Sequence, residues 1–173
     1  ALGKLRDHEG IGMLRNMLTD PSFDVRLSAM LGLGIMESGH GSYLLLNIGD
    51  DTASGRGLMG TTRVNRTQQG SALILSGLRG DRTAETLIEQ MLRDRTGHPE
   101  LLTMACEASG LMGSPSMLRP LLDVALDDSL PQYVRSSAIS ALGRIGDPSV
   151  TPALVELRDG SHDARVRLPL QAV

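Results

Sequence analysis

The chain has 173 residues, enough for one domain with a core of its own. Apolar residues make up 40% and aromatic residues only 2%, so the core must be built from Leu, Ile, Val, Met and Ala, which suits close helix packing better than a β-sandwich. A net charge of −3 with a pI near 5.8 leaves no electrostatic footprint for nucleic acid or an anionic membrane.

In chain order, the first phrase is ALGKLRDHEGIGMLRNMLTD, which reads as the end of one helix and most of a second. Nearly the same phrase closes the chain at Ser136–Asp159, SSAISALGRIGDPSVTPALVELRD. Between them it recurs, anchored on Gly3, Gly34, Gly77, Gly110 and Gly143, at spacings of 31, 43, 33 and 33 residues. A period in this range is the signature of a solenoid of stacked supersecondary units.

Each copy predicts a pair of helices. In the first helix, Ala29, Ala72, Ala105 and Ala138 stand five residues before the anchor glycine. Nine before it stand Val25, Gln68, Leu101 and Val134. These offsets share one side of a helix, and the alanines form a small-residue seam that lets a neighbouring helix approach. Gly80, Gly113 and Gly146 then supply left-handed terminal residues. Asp81, Ser114 and Asp147 are placed to cap the second helix, with Pro115 and Pro148 at helix starts.

In the second helix, Leu14, Leu45, Ile88, Leu121 and Leu154 share one core register, and Met17, Ile48, Met91, Val124 and Leu157 share another. Asn16, Asn47, Gln90, Asp123 and Glu156 occupy the intervening register and are expected to face water. The 43-residue step carries an excess, DDTASGRGLMGTTRVN at residues 50–65, expected to be an inserted loop. Both ends fall mid-unit without a polar capping repeat, so the chain is expected to be a piece of a longer protein.

These phrases, with VRLSAMLGLG and QGSALILSGLRGD, resemble the HEAT-like repeats of bacteria and archaea, the short variety found in phycobilisome lyases. The resemblance covers nearly the whole chain apart from residues 50–65. It implies an all-α right-handed superhelix: one domain over residues 1–173, of about four helix pairs plus partial units. It also implies that Arg26, Arg135 and Arg167 at first-helix starts, and Asp81 and Asp147 in turns, form structural ladders. Gln69 and Leu102 replace that arginine in two units, and Glu37 replaces a terminal glycine. Tetratricopeptide repeats would need aromatic residues that are missing, and ankyrin repeats a T-P-L-H-x-A turn.

Catalytic and metal chemistry find little footing. Cys106 lacks a C-x-x-C mate and falls in an apolar helical pattern, so it reads as core. His8, His40, His98 and His162 fall in turns, without H-E-x-x-H spacing. The His8–Glu9 pair is similar to those by which HEAT-repeat hydroxylases hold a di-iron centre. The equivalent places here carry Gly39–His40–Gly41, Arg82–Thr83 and Pro148–Ser149, and one pair cannot build that centre. Neither G-x-S-x-G nor a phosphate-binding G-x-x-x-x-G-K-[ST] is present.

The expected function is a non-catalytic interaction scaffold that binds another protein on the concave face of the solenoid, lined by second helices. The residues expected to carry it are Tyr43, Asn47, Gln90, Arg93, Arg119, Asp123 and Glu156, with Tyr43 and Arg119 as anchors, since Tyr and Arg are enriched at hot spots. The inserted loop is expected to add Arg56 and Arg63 as charges, with Leu58 and Met59 as an exposed apolar tip. Family association leaves two alternatives. One is a lyase-like protein handling a bound chromophore, with His40 and Tyr43 lining its site. The other is a HEAT-like nucleic-acid binder, for which Arg56, Arg63 and Arg66 form the best basic cluster beside Asp50 and Asp51. Nucleic acid is not the expected partner, because acidic residues interleave with the basic ones, and no cofactor or metal is expected. No apolar run approaches the ~20 residues that span a bilayer. A cytoplasmic protein is expected, although the chain begins with Ala and any targeting segment is not read from it.

Overall fold

The computed structural model describes residues 8–36, 39–95 and 98–160. Among these residues the protein is built from α-helices and two short 3-10 turns, without a strand. The helices are α1 (His8–Met17), α2 (Phe23–Ile35), α3 (Gly39–Gly49), α4 (Ala53–Leu58), α5 (Arg66–Leu78), α6 (Arg82–Asp94), α7 (Pro99–Met112), α8 (Leu118–Ala125), α9 (Gln132–Ile145) and α10 (Thr151–Gly160). The fold class is all-α, in helix pairs at the repeat spacing the sequence sets. Contacts group the chain into two compact halves, Ala1–Ala84 and Glu85–Val173.

In the first half, α2 packs on α1, α3 and α5, and α3 packs on α4 and α5. Seam residues Ala29 and Ala72 are buried, as are Leu14, Leu45 and Ile48 from the second-helix registers. The anchor glycine of α2 meets the next first helix directly: a Cβ on Gly34 would stand 2.9 Å from Leu75 Cδ2. Arg79, at the end of α5, ties these elements together. Its Nη1 donates to the carbonyls of Gly34 and Met36, and its Nε donates to Ser42 Oγ at 3.2 Å.

In the second half, α9 packs on α7 and α8. Ala105, Ala138, Leu121 and Val124 are fully buried. α7 and α9 end on Gly113 and Gly146, at φ 67° and 69°, in the left-handed conformation the sequence demands there. Asp147 Oδ1 accepts from Ser149 N at 2.8 Å and caps the following turn; in the first half, Asp81 Oδ1 accepts from Thr83 N at 3.0 Å. Ser114 departs from that expectation. Its hydroxyl makes no cap bond and donates instead to Glu85 Oε1 on α6, a charged acceptor that binds more strongly than a neutral one.

Further sequence expectations are corrected by this structure. Met17 is 39% exposed rather than in the core. The i→i−3 bonds from Leu18, Thr19 and Asp20 tighten the end of α1, which turns Leu18 inward in its place. His40 lies in the first turn of α3, not in the turn before it. The inserted segment is not a projecting loop: it contains α4, N-capped by Thr52, whose Oγ1 accepts from Gly55 N at 3.0 Å. Leu58, Met59 and Val64 sit in the core of the first half, so the expected apolar tip does not exist. The segment is closed at its base by Val64 N donating to Asp51 Oδ1 at 2.8 Å. Gly55 is obligatory in this packing, since a Cβ there would lie 2.0 Å from the Asn47 carbonyl oxygen.

Candidate functional site

The ladder arginines occupy the positions their repeat register assigns. Arg26 Nη1 donates to the Asp20 and Pro21 carbonyls at 2.6 and 3.0 Å, with its guanidinium over the Phe23 ring at 5.6 Å. In the second half Arg135 Nε donates to the Ala125 carbonyl at 3.1 Å, and Nη1 pairs with Asp128 at 2.7 Å. Both hold the end of the preceding second helix or its turn, where orphan carbonyls need donors. Gln69 performs the same task without charge, its Nε2 donating to the Val64 carbonyl at 3.2 Å. Leu102, the other replacement, is simply buried. Arg167 and Glu37 lie outside the described residues.

The residues proposed for the second-helix face divide by environment. On α3, Tyr43 is 59% exposed, which suits a contact residue. Asn47, one turn on, is only 9% exposed and does not face water as its register predicts. Its Nδ2 donates to the Tyr43 carbonyl at 2.8 Å, and its Oδ1 accepts from Thr52 Oγ1 at 2.7 Å. α4 covers that face of α3, so Asn47 supports the inserted segment and is not available to a partner.

In the second half, Gln90 and Arg93 are exposed on α6, and Arg119 is accessible on α8 with 77% of its side chain in solvent. Arg93 pairs with Glu89 at 2.6 Å, and Arg119 with Asp123 at 2.9 Å, each one helical turn apart. Such exposed pairs contribute little to stability, and their charges remain accessible to a ligand. α6 and α8 are cross-linked at both ends: Ser114 and Ser116 bond Glu85, while Arg95 Nη2 donates to the Asp123 carbonyl and Arg95 Nε pairs with Asp127 at 3.1 Å. This clasp escapes sequence reasoning, because Arg95 sits past the last periodic residue of its helix. Arg95 also holds a positive φ of 48°, uncommon for a residue other than glycine. The side chain of Glu156 lies outside the described residues.

From the inserted segment, Arg56 is partly buried, with Nε 3.7 Å from Asp51 Oδ1, whereas Arg63 is exposed. Leu58 and Met59 are core residues. Cys106 is fully buried, and burial, with the Glu107 charge adding to it, pushes its thiol up to about 12. Its protonated form is no nucleophile. Among the described residues no three His, Cys, Asp or Glu side chains come together in a way that could hold a metal ion. His98 pairs with Glu100 at 3.6 Å, and His162 lies outside the described residues.

A fold of helix pairs at a fixed period, with a small-residue seam and an arginine bonded back to the preceding turn, defines a helical repeat protein. A family model described as HEAT repeats matches residues 84–173, just over half of the chain. The chain belongs to the HEAT-repeat family. No curated protein matches it. Among solved structures it is similar to human deoxyhypusine hydroxylase, solved in complex with glycerol, at a TM-score of 0.53 and 17% identity. That likeness covers 98% of this chain and 74% of the other, and at this identity it speaks for the fold alone. No helix among the described residues is long and apolar enough to cross a membrane.

Proposed function

We propose that the chain is a non-catalytic interaction module, binding another protein through the exposed side chains of its second helices. The observation that carries this reading is the contrast within those helices. Leu45, Ile48, Ile88, Leu121 and Val124 are buried, while Tyr43, Gln90, Arg93 and Arg119 remain accessible on helices that the fold holds rigid. Rigid presentation lowers the ordering cost of association, and Tyr and Arg are the residue types that most often dominate an interface. Arg63 from the inserted segment is a further candidate contact. HEAT repeats generally mediate protein interactions, which agrees with the proposal.

An enzymatic reading is kept as the alternative, because the similar structure is that of a hydroxylase. Affinity capture with the 173-residue chain as bait separates the two. The interaction reading expects a protein retained by the parent and by Arg144→Ala, which alters a first-helix arginine, but lost with Tyr43→Ala or Arg119→Ala. Retention of the same protein by all four baits contradicts it. A purified chain that carries a chromophore or metal in stoichiometric amount favours the enzyme reading.

A further inference from the structure

We infer that the first half carries a second site: an oxyanion-binding cavity that takes the carboxylate or phosphate group of a small molecule. The cavity, of about 330 Å³, forms where the inserted segment closes over the turn between α1 and α2. Its size lies at the lower end of the range for small-molecule sites.

The lining is rich in donors that the fold leaves unused. Gln68 lines the cavity at 4% exposure, and its Nε2 has no hydrogen-bond partner. A buried amide left unpaired is a standing cost to the fold, which rotation of the side chain toward an acceptor in the cavity would remove. Arg63 also lines the cavity and makes no side-chain hydrogen bond or ion pair among the described residues. Arg26 lines the cavity too, held by two carbonyls through Nη1 alone, so the remaining donors of its fork are left for a ligand. Asn65 Oδ1 accepts from Thr67 N at 2.8 Å, which leaves its amide nitrogen as a further donor on the lining.

The charge count favours an anion. Asp20 is the one carboxylate on the lining, and its Oδ1 already accepts from Ser22 N at 2.8 Å, against two guanidinium groups. Met59 adds an apolar wall from the inserted segment, which gives room for a short carbon skeleton behind the anionic group. The segment that lengthens the repeat period therefore builds one side of a site that no other repeat of this chain could make.

Isothermal titration calorimetry at constant ionic strength, with inorganic phosphate and with succinate as separate probes, tests this. Saturable one-site binding of at least one probe is expected. It should weaken about tenfold or more in Arg63→Ala and in Gln68→Leu, and stay unchanged in Arg66→Ala, an exposed arginine outside the lining. Binding of phosphate alone assigns a phosphoryl ligand, binding of succinate alone a carboxylate, and binding of both a site that reads charge. If Gln68→Leu fails to fold, Arg63→Ala decides, since that side chain is exposed and unbonded. Absence of saturable binding by both probes, or parent-strength binding in Arg63→Ala, overturns the proposal.

Discussion

Gly110 of α7 and Ala141 of α9 touch backbone to backbone: a Cβ built on Gly110 would stand 2.8 Å from the Cα of Ala141. The same register recurs in the first half, where Gly34 of α2 meets Leu75 of α5. In each case the anchor glycine of one repeat meets the residue two before the anchor of the next. The glycine that marks the period is thus a contact point between repeats, which is why it cannot drift.

Gly110→Ala is expected to destabilise the protein by roughly 1–3 kcal/mol, because backbone on the facing helix cannot yield as a side-chain tip can. Gly12→Ala should do the opposite. Nothing lies within 4 Å of its Cβ position, and alanine in an exposed helix interior is favoured by about 0.5–1 kcal/mol. Chemical denaturation of the two variants beside the parent checks both signs, and a neutral Gly110→Ala would show that the α7–α9 contact is looser than described.

The inserted segment is expected to be needed for folding of the first half. Leu58 and Met59 are 9% and 6% exposed, so replacing either with alanine should cost about 2–5 kcal/mol. Deleting residues 52–61, which would restore a 33-residue step, should cost more, as it removes the N-cap, Gly55 and both core side chains together. A deletion variant that melts like the parent in circular dichroism would place the segment outside the core.

Cys106 should react with thiol reagents only on unfolding. Burial and a thiol held near 12 together deny the reagent both access and thiolate. The labelling rate is expected to track global stability across denaturant. Fast labelling under native conditions would mean that α7 opens locally.

The register was legible in the sequence because it rests on volume. Alanine at the seam, leucine or isoleucine at the second-helix core and glycine at the contact are the residues that fit, so the period states them openly. The inserted segment was not legible. Its glycines and threonines look like a connector, yet they serve α4: Thr52 caps it, Gly55 lets it approach α3, and three apolar residues too few to form a period fill the core. Asn47 departs from its register for the same reason, since Thr52, whose hydroxyl donates to the Asn47 side-chain Oδ1, belongs to that segment. The cavity was hidden more deeply. Gln68 interrupts an otherwise apolar register, which was visible, but only the fold shows that its amide is unpaired.

Stability should fall in acid through the turn aspartates. Hydrogen bonds from the Ser129 side chain and backbone hold Asp127 below its ordinary value of 3.8, and those from Ser149 do the same for Asp147. Burial opposes the shift at Asp81, but bonds from Ser42 and Thr83 and the Arg79 charge outweigh it and lower that group too. A lowered native value means that the unfolded chain binds more protons. The contribution is therefore fully present above 3.8 and is lost as pH falls through the depressed native values. Asp127→Asn and Asp147→Asn variants should show a flatter melting temperature against pH below that point. An unchanged acid slope in the double variant would remove these turns from the explanation.

The most direct test of the interaction reading is the affinity of a captured protein partner for the parent chain, for Tyr43→Ala and for Arg119→Ala, with Arg144→Ala as the control. Side chains that anchor an interface typically cost about 2 kcal/mol or more on truncation, a loss of roughly thirtyfold. A loss of that size is expected for Tyr43→Ala or Arg119→Ala, with a parent-like Arg144→Ala. Parent-like affinity in both second-helix variants would contradict it.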